Sequence, residues 1–164
     1  MDTPHHSPIF VSTQTAALLT GKSVRTIHNW LESGVIRGKD AQAAHIPGGL
    51  MRRIDLSSIA ANAPTEMTDE FVECVRQADA GNADGRNNVG TYFYRLKEYK
   101  IAVGWFEAAA KNGHADAMEL LSMCYINGIG VEKNHALGIQ WLGKAAALGH
   151  SIAKAKLQAL GFEV

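Results

Sequence analysis

A recurrence constrains this chain more than any other feature. Trp105 and Trp141, Ala109-Ala110 and Ala145-Ala146, and Gly113-His114 and Gly149-His150 each return after 36 residues. A period of that size belongs to helical hairpins stacked side by side, since one hairpin cannot bury its apolar face alone. Upstream, Gly81-Asn82-Ala83-Asp84 aligns with Gly113-His114-Ala115-Asp116 after 32 residues, so the first unit lacks four residues between its helices. The longer connection of the second unit runs from Ile126 to Lys133. Small alanines let helices approach, glycines permit the turns, and Trp and Tyr supply the buried area that neighbouring units share.

The unit Ala115 to His150 resembles a Sel1-like repeat, a relative of the tetratricopeptide type. The matching residues are Ala115-Asp116-Ala117, Leu120-Leu121, Cys124-Tyr125, Gly128-Ile129-Gly130-Val131, Ala136, Trp141, Lys144-Ala145-Ala146 and Gly149-His150. Residues 83 to 114 follow the same pattern with a shortened loop, Ser151 to Leu160 looks like the first helix of a further unit, and Thr68 to Ala80 supplies a preceding second helix. The resemblance implies an α-solenoid that binds protein. An aromatic cage of Trp105, Trp141, Tyr92, Tyr125 and Phe106 is the competing reading, but recurrence of Trp at one repeat position favours a core role. His114 and His150 recur at helix starts, which suits caps or packing groups better than metal ligands.

Ahead of the repeats the pattern changes. Val11-Ser12-Thr13-Gln14-Thr15-Ala16-Ala17-Leu18-Leu19 opens a short helix with a hydroxyl cap and Val11 and Ala16 in staple positions, and Gly21 ends it. Ser23 caps a second helix over Val24 to Leu31, in which Val24, Ile27 and Leu31 share the face that packs on Leu18 and Leu19. Arg25, Thr26 and Asn29 are left facing outward, residue types that read guanine, thymine and adenine edges, with His28 at the boundary. Ser33-Gly34 ends that helix. Val35-Ile36-Arg37 and Met51-Arg52-Arg53-Ile54 then read as strands of a hairpin around Gly38 to Gly49, and Asp55 starts a helix at Leu56.

In this order of elements, Val11 to Ile59 resembles the winged helix-turn-helix of the MerR and excisionase superfamily. The resemblance implies double-stranded DNA as partner, with Ser23, Arg25, Thr26, His28 and Asn29 on the recognition helix and Arg37, Lys39, Arg52 and Arg53 on or beside the wing. The wing loop from Lys39 to Gly49 is longer than usual and carries Asp40, Ala41, Ala43 and Ala44 in place of a dense basic cluster, which makes its contacts less secure than those of the helix.

The chain is therefore expected to be mainly α: a flexible tail over 1–9, a winged helix-turn-helix domain over 10–62, a linker over 63–67 and a solenoid of Sel1-like hairpins over 68–164. Six Lys and Arg stand against four Asp and Glu up to Asn62, and ten against twelve after it. So mild an asymmetry excludes a protein that coats nucleic acid by bulk charge. Cys74 and Cys124 sit in apolar helical patterns as buried thiols of a reducing compartment, and His5 and His6 lie in a tail without further metal-ligating partners. No signal peptide or membrane span is legible, which points to the cytoplasm. No phosphate loop, carboxylate pair or nucleophile beside a base appears, so neither an enzyme nor a cofactor nor a metal is expected.

Three functions fit these residues. One is a sequence-specific transcriptional regulator whose repeats mediate homodimerisation or partner binding. Another is an excisionase-like or packaging accessory of a mobile element. The last is a protein-protein adaptor without DNA binding.

Overall fold

The computed structural model describes residues 7–43 and 48–163. His5, His6, Ala44 and Pro47, and with them most of the expected tail and part of the wing loop, lie outside the described residues. Two compact units divide the chain between Asp69 and Glu70.

The N-terminal unit runs β1 (Phe10–Ser12), α1 (Thr13–Thr20), α2 (Val24–Glu32), β2 (Gly38–Gln42), β3 (Leu50–Asp55), α3 (Leu56–Ile59) and a 3-10 turn over Ala60–Asn62. Ser12 caps α1 by accepting the Thr15 N–H at 3.1 Å, and Gly21, left-handed at φ 64°, closes it. Ser23 caps α2 in the same way through the Thr26 N–H. Two hydroxyl residues three positions ahead of a free backbone N–H thus fix where both helices begin.

The strands form one antiparallel sheet in the order β1-β3-β2. Val11 pairs with Ile54 and Asp40 with Arg52. The core gathers Val11, Ala16, Leu19, Ile27, Ile36, Ile54, Leu56 and Ile59, all buried. Two expectations need correction here. Val35 to Arg37 is not a strand: the Val35 and Ile36 N–H groups both donate to the Trp30 carbonyl at the end of α2, so they are unavailable to a sheet, and pairing starts at Gly38. Conversely β1, read from sequence only as a helix approach, is a sheet strand.

The second unit contains α4 (Asp69–Asp79), α5 (Ala83–Arg95), α6 (Tyr99–Lys111), α7 (Ala115–Asn127), α8 (His135–Ala147) and α9 (Ser151–Ala159). Helices α5 and α6 form one hairpin, α7 and α8 the next, and each helix packs on its successor from α5 to α9. Trp105, Phe93, Phe106, Leu121 and Leu142 form the buried interior. Within the hairpins contact is close: a Cβ on Gly90 would lie 2.7 Å from the Phe106 ring, and one on Gly138 would lie 2.5 Å from Ile126 Cγ1.

Trp141 departs from the expected pattern. It is only half-buried, with Lys144 Nζ 4.2 Å over its ring, whereas Trp105 at the same repeat position is fully enclosed. Recurrence in sequence fixes a position in the unit, but cover depends on what the next unit supplies.

Candidate functional site

On α2, Ile27 is buried while Arg25, His28 and Asn29 are exposed. Their side chains make no hydrogen bond or ion pair with another described residue. Ser23 and Thr26 behave differently, since their hydroxyls bond each other at 2.9 Å as part of the cap. The structure thus brings Ser23, Arg25, Thr26, His28 and Asn29 together on the N-terminal turns of one helix, with three side chains uncommitted.

The four basic residues of the hairpin are each engaged inside the unit. Arg37 donates through Nε and Nη2 to Asp55 Oδ2 at 3.2 and 3.0 Å, and through Nη2 to Ser57 Oγ. Lys39 Nζ lies 4.0 Å over the Phe10 ring. Arg52 pairs with Asp40 directly across the ladder at 3.1 Å, and Arg53 Nη2 donates to the Phe10 carbonyl at 2.6 Å. A cation already pairing with a carboxylate, ring or carbonyl has less attraction left for a phosphate.

Asp55 is the centre of this arrangement, and sequence reasoning gave it only a capping role. Its Oδ1 accepts from the Ser57 N–H and hydroxyl at 3.0 and 2.7 Å, while Oδ2 takes the Arg37 guanidinium. Burial pushes its carboxyl upward, but the Ser57 and Arg37 hydrogen bonds and the Arg37 charge outweigh that and hold it below the ordinary carboxylate value. The pattern Arg37…Asp55-x-Ser57 held the signal, but nothing in the spacing says that the arginine turns inward.

In the repeat array, His114 and His150 are helix N-caps. Nδ1 of each accepts a backbone N–H, from Ala117 and Ala153 respectively. The opposite nitrogen, Nε2, reaches Asp84 at 3.1 Å from His114 and Asp116 at 3.0 Å from His150. One neutral tautomer protonated on Nε2 satisfies both roles, so each His ties the start of its own unit to the first helix of the unit before. Tyr125 donates to Glu107 at 3.0 Å, and Trp105 and Phe106 are enclosed, so the aromatic residues do not line an open cage. Cys74 and Cys124 are free thiols; burial, aided by the Glu119 charge, pushes Cys124 up to about 11. Among the described residues no three His, Cys, Asp or Glu side chains gather as a metal site, and no helix is long and apolar enough to cross a membrane.

Several exposed large apolar side chains lie in and beside α9. Leu148, Ile152, Leu160 and Phe162 are 57, 55, 56 and 46% exposed, and all belong to α9 or its immediate flanks. Sequence reasoning treated this segment as repeat packing and missed it. The signal was present at one position, because Ile152 stands where the two preceding first helices carry Asp84 and Asp116.

The chain is 32% identical over 105 residues to DAP3-binding cell death enhancer 1 of Rattus norvegicus. The match covers 59% of this chain and spans about a fifth (20%) of that relative. Residues 83–114 and 115–150 each match the Sel1 repeat model. The hairpins α5-α6 and α7-α8 thus coincide with the two matched Sel1 repeats.

Proposed function

We propose that this chain is a non-enzymatic adaptor whose Sel1 array receives a protein partner. The observation that carries this reading is the apolar surface around α9, where four large aliphatic or aromatic side chains are about half exposed. Large apolar side chains left exposed along one short helix favour an interaction site, because leaving apolar area in water costs about 25 cal/mol per Å². The relative in Rattus norvegicus, named for binding DAP3, adds support for a protein ligand. The test is photo-crosslinking in cells from a probe placed at Ile152, with a probe at exposed Lys111 as control. A discrete protein adduct from Ile152, lost when Leu160→Glu is added, is expected. Adducts equal at both positions would count against the adaptor reading.

A second reading has its own observation. Arg25, His28 and Asn29 are uncommitted on an exposed helix start, and the element order of the N-terminal unit suits a winged helix-turn-helix that reads duplex DNA. In that case the adaptor is a cytoplasmic regulator, or a mobile-element accessory if it also bends its sites. The engaged state of Arg37, Lys39, Arg52 and Arg53 shifts the weight of recognition to α2. Selection from random duplex DNA tests it: a motif retained by the native chain and lost by Arg25→Ala, at about 1–3 kcal/mol, supports base reading. Absence of enrichment at low salt removes the DNA role and leaves the adaptor alone.

A further inference from the structure

Resting on the adaptor reading, we infer that a partner of the array is a second copy of this chain, docked head to tail with α9 of one copy against α4 of the next. The repeat pattern supplies the first reason. Ala80-Gly81-Asn82 after α4 occupies the place of Asn112-Gly113-His114 after α6, so α4 is a second helix of a unit. Helix α9 follows Gly149-His150 as α7 follows Gly113-His114, so it is a first helix. Among the described residues, α4 and α9 are thus complementary halves of one hairpin.

Both end helices also depart from the repeat pattern, in opposite senses. Where α6 presents Ala102, Trp105 and Phe106, α4 has Glu70, Glu73 and Cys74. Where α7 has Met118 and Leu120, α9 has Lys154 and Lys156. Glu70 and Glu73 are exposed, as are Lys154 and Lys156. Part of this charge is met internally, since Arg76 pairs with Glu73 and Lys156 with Glu119, but among the described residues Lys154 and Glu70 have no such partner. An acidic second helix and a basic first helix are electrostatically matched. The apolar area that makes the contact worth forming comes from Ile152, Leu160 and Phe162 beside the lysines.

The same charges disfavour the alternative of a two-fold contact through α9. That arrangement sets Lys154 and Lys156 of one copy against the same residues of the other, and like charges brought together in an interface oppose it. A head-to-tail contact uses two different surfaces, so it does not stop at a dimer unless the copies close into a ring.

Sedimentation velocity of the full chain over a concentration series tests the inference, with Lys154→Glu, Glu70→Lys and their mixture alongside. Native chain should pass beyond dimer mass as concentration rises, and each variant alone should associate at least about tenfold more weakly. Mixing the two variants should restore association, because each then meets the opposite charge. Helical melting curves check that both exposed substitutions leave the fold intact. A native chain monomeric at every concentration would overturn the inference, as would a closed dimer unaffected by Glu70→Lys. If Ile152 still crosslinks to a different protein in that event, the adaptor reading stands and only the identity of the partner changes.

Discussion

The two units solve the same problem with different materials. In the N-terminal unit, charged side chains brace a small sheet: Arg37 on Asp55, Arg52 on Asp40, Arg53 on the Phe10 carbonyl and Lys39 on the Phe10 ring. In the repeat array, apolar helix faces do the holding, and polar groups such as His114 and His150 set the register between units. A basic residue in the first unit therefore has two possible employers, structure or ligand, and its presence in the sequence does not say which. An alanine or tryptophan that recurs in the second has one.

The comparison is most severely tested inside the array. Trp105→Ala should cost about 3–5 kcal/mol, because the enclosed ring leaves a cavity between helices that cannot collapse fully. Trp141→Ala, at the same repeat position but half exposed, should cost only about 1–2 kcal/mol. Chemical denaturation of the two variants decides the matter. Equal losses would mean that Trp141 is covered in solution, and a loss that appears only at high protein concentration would point to cover by a second copy.

A smaller effect is expected inside the array, where the loop after α7 meets the start of α6. Gly130 has φ 72°, and a Cβ there would sit 2.5 Å from the Tyr99 carbonyl carbon and oxygen at the start of α6. Backbone cannot yield as a side chain does, so Gly130→Ala should destabilise by about 2–3 kcal/mol through strain and overlap together. A neutral outcome in thermal melting would mean that the loop lifts away from α6 at little cost.

Asp55 gives the corresponding break in the N-terminal unit. Asp55→Ala removes the α3 cap and the Arg37 bond at once, which should cost about 2 kcal/mol. The native residue also predicts a pH dependence. Its carboxyl is held below the ordinary value in the folded state, so the stabilisation is fully present above the unfolded pKa of about 4 and is lost as pH falls through the lower, folded value. Acid titration of the native chain and the variant should converge at low pH. If the gap between them persists below pH of about 2, the Arg37 and Ser57 bonds are not what stabilises the ionised form.

What could be read in advance divides along the same line. Ser12, Ser23 and Gly21 are local devices whose chemistry suffices to place α1 and α2, and the recurrence of Gly-His and of Trp places the hairpins. Val35 to Arg37 misled because β-branched residues suggest a strand, while the Trp30 carbonyl captures the N–H groups that a strand needs. The three residues of β1 are too few to show alternation. For the candidate surfaces, Arg25 and Asn29 were legible because helical spacing alone turns them outward. The engagement of Arg37 and Arg53 was not, because their partners Asp55 and Phe10 lie 18 and 43 residues away. Exposure of Leu160 and Phe162 likewise depends on tertiary cover that no spacing encodes.

The smallest expected effect concerns the shortened loop of the first unit. Between α5 and α6 the chain turns at Lys97, which has φ 63° and is the described non-glycine residue in the left-handed region. In the second unit the longer connection passes the same need to Gly128 and Gly130, at φ 72° each. An L-residue with a Cβ is disfavoured in this conformation by about 1 kcal/mol, and glycine removes that strain while losing more backbone freedom on folding. Lys97 is exposed, so no packing is lost with its side chain. Lys97→Gly should therefore stabilise the array by a net of about 0.5 kcal/mol, a small upward shift in the melting midpoint. Lys97→Ala serves as the control, since it removes the same side chain but keeps the Cβ, and it should leave the midpoint near the native value. If both variants raise the midpoint equally, the gain comes from removing the lysine charge, and the first unit accommodates its deletion without strain at this turn.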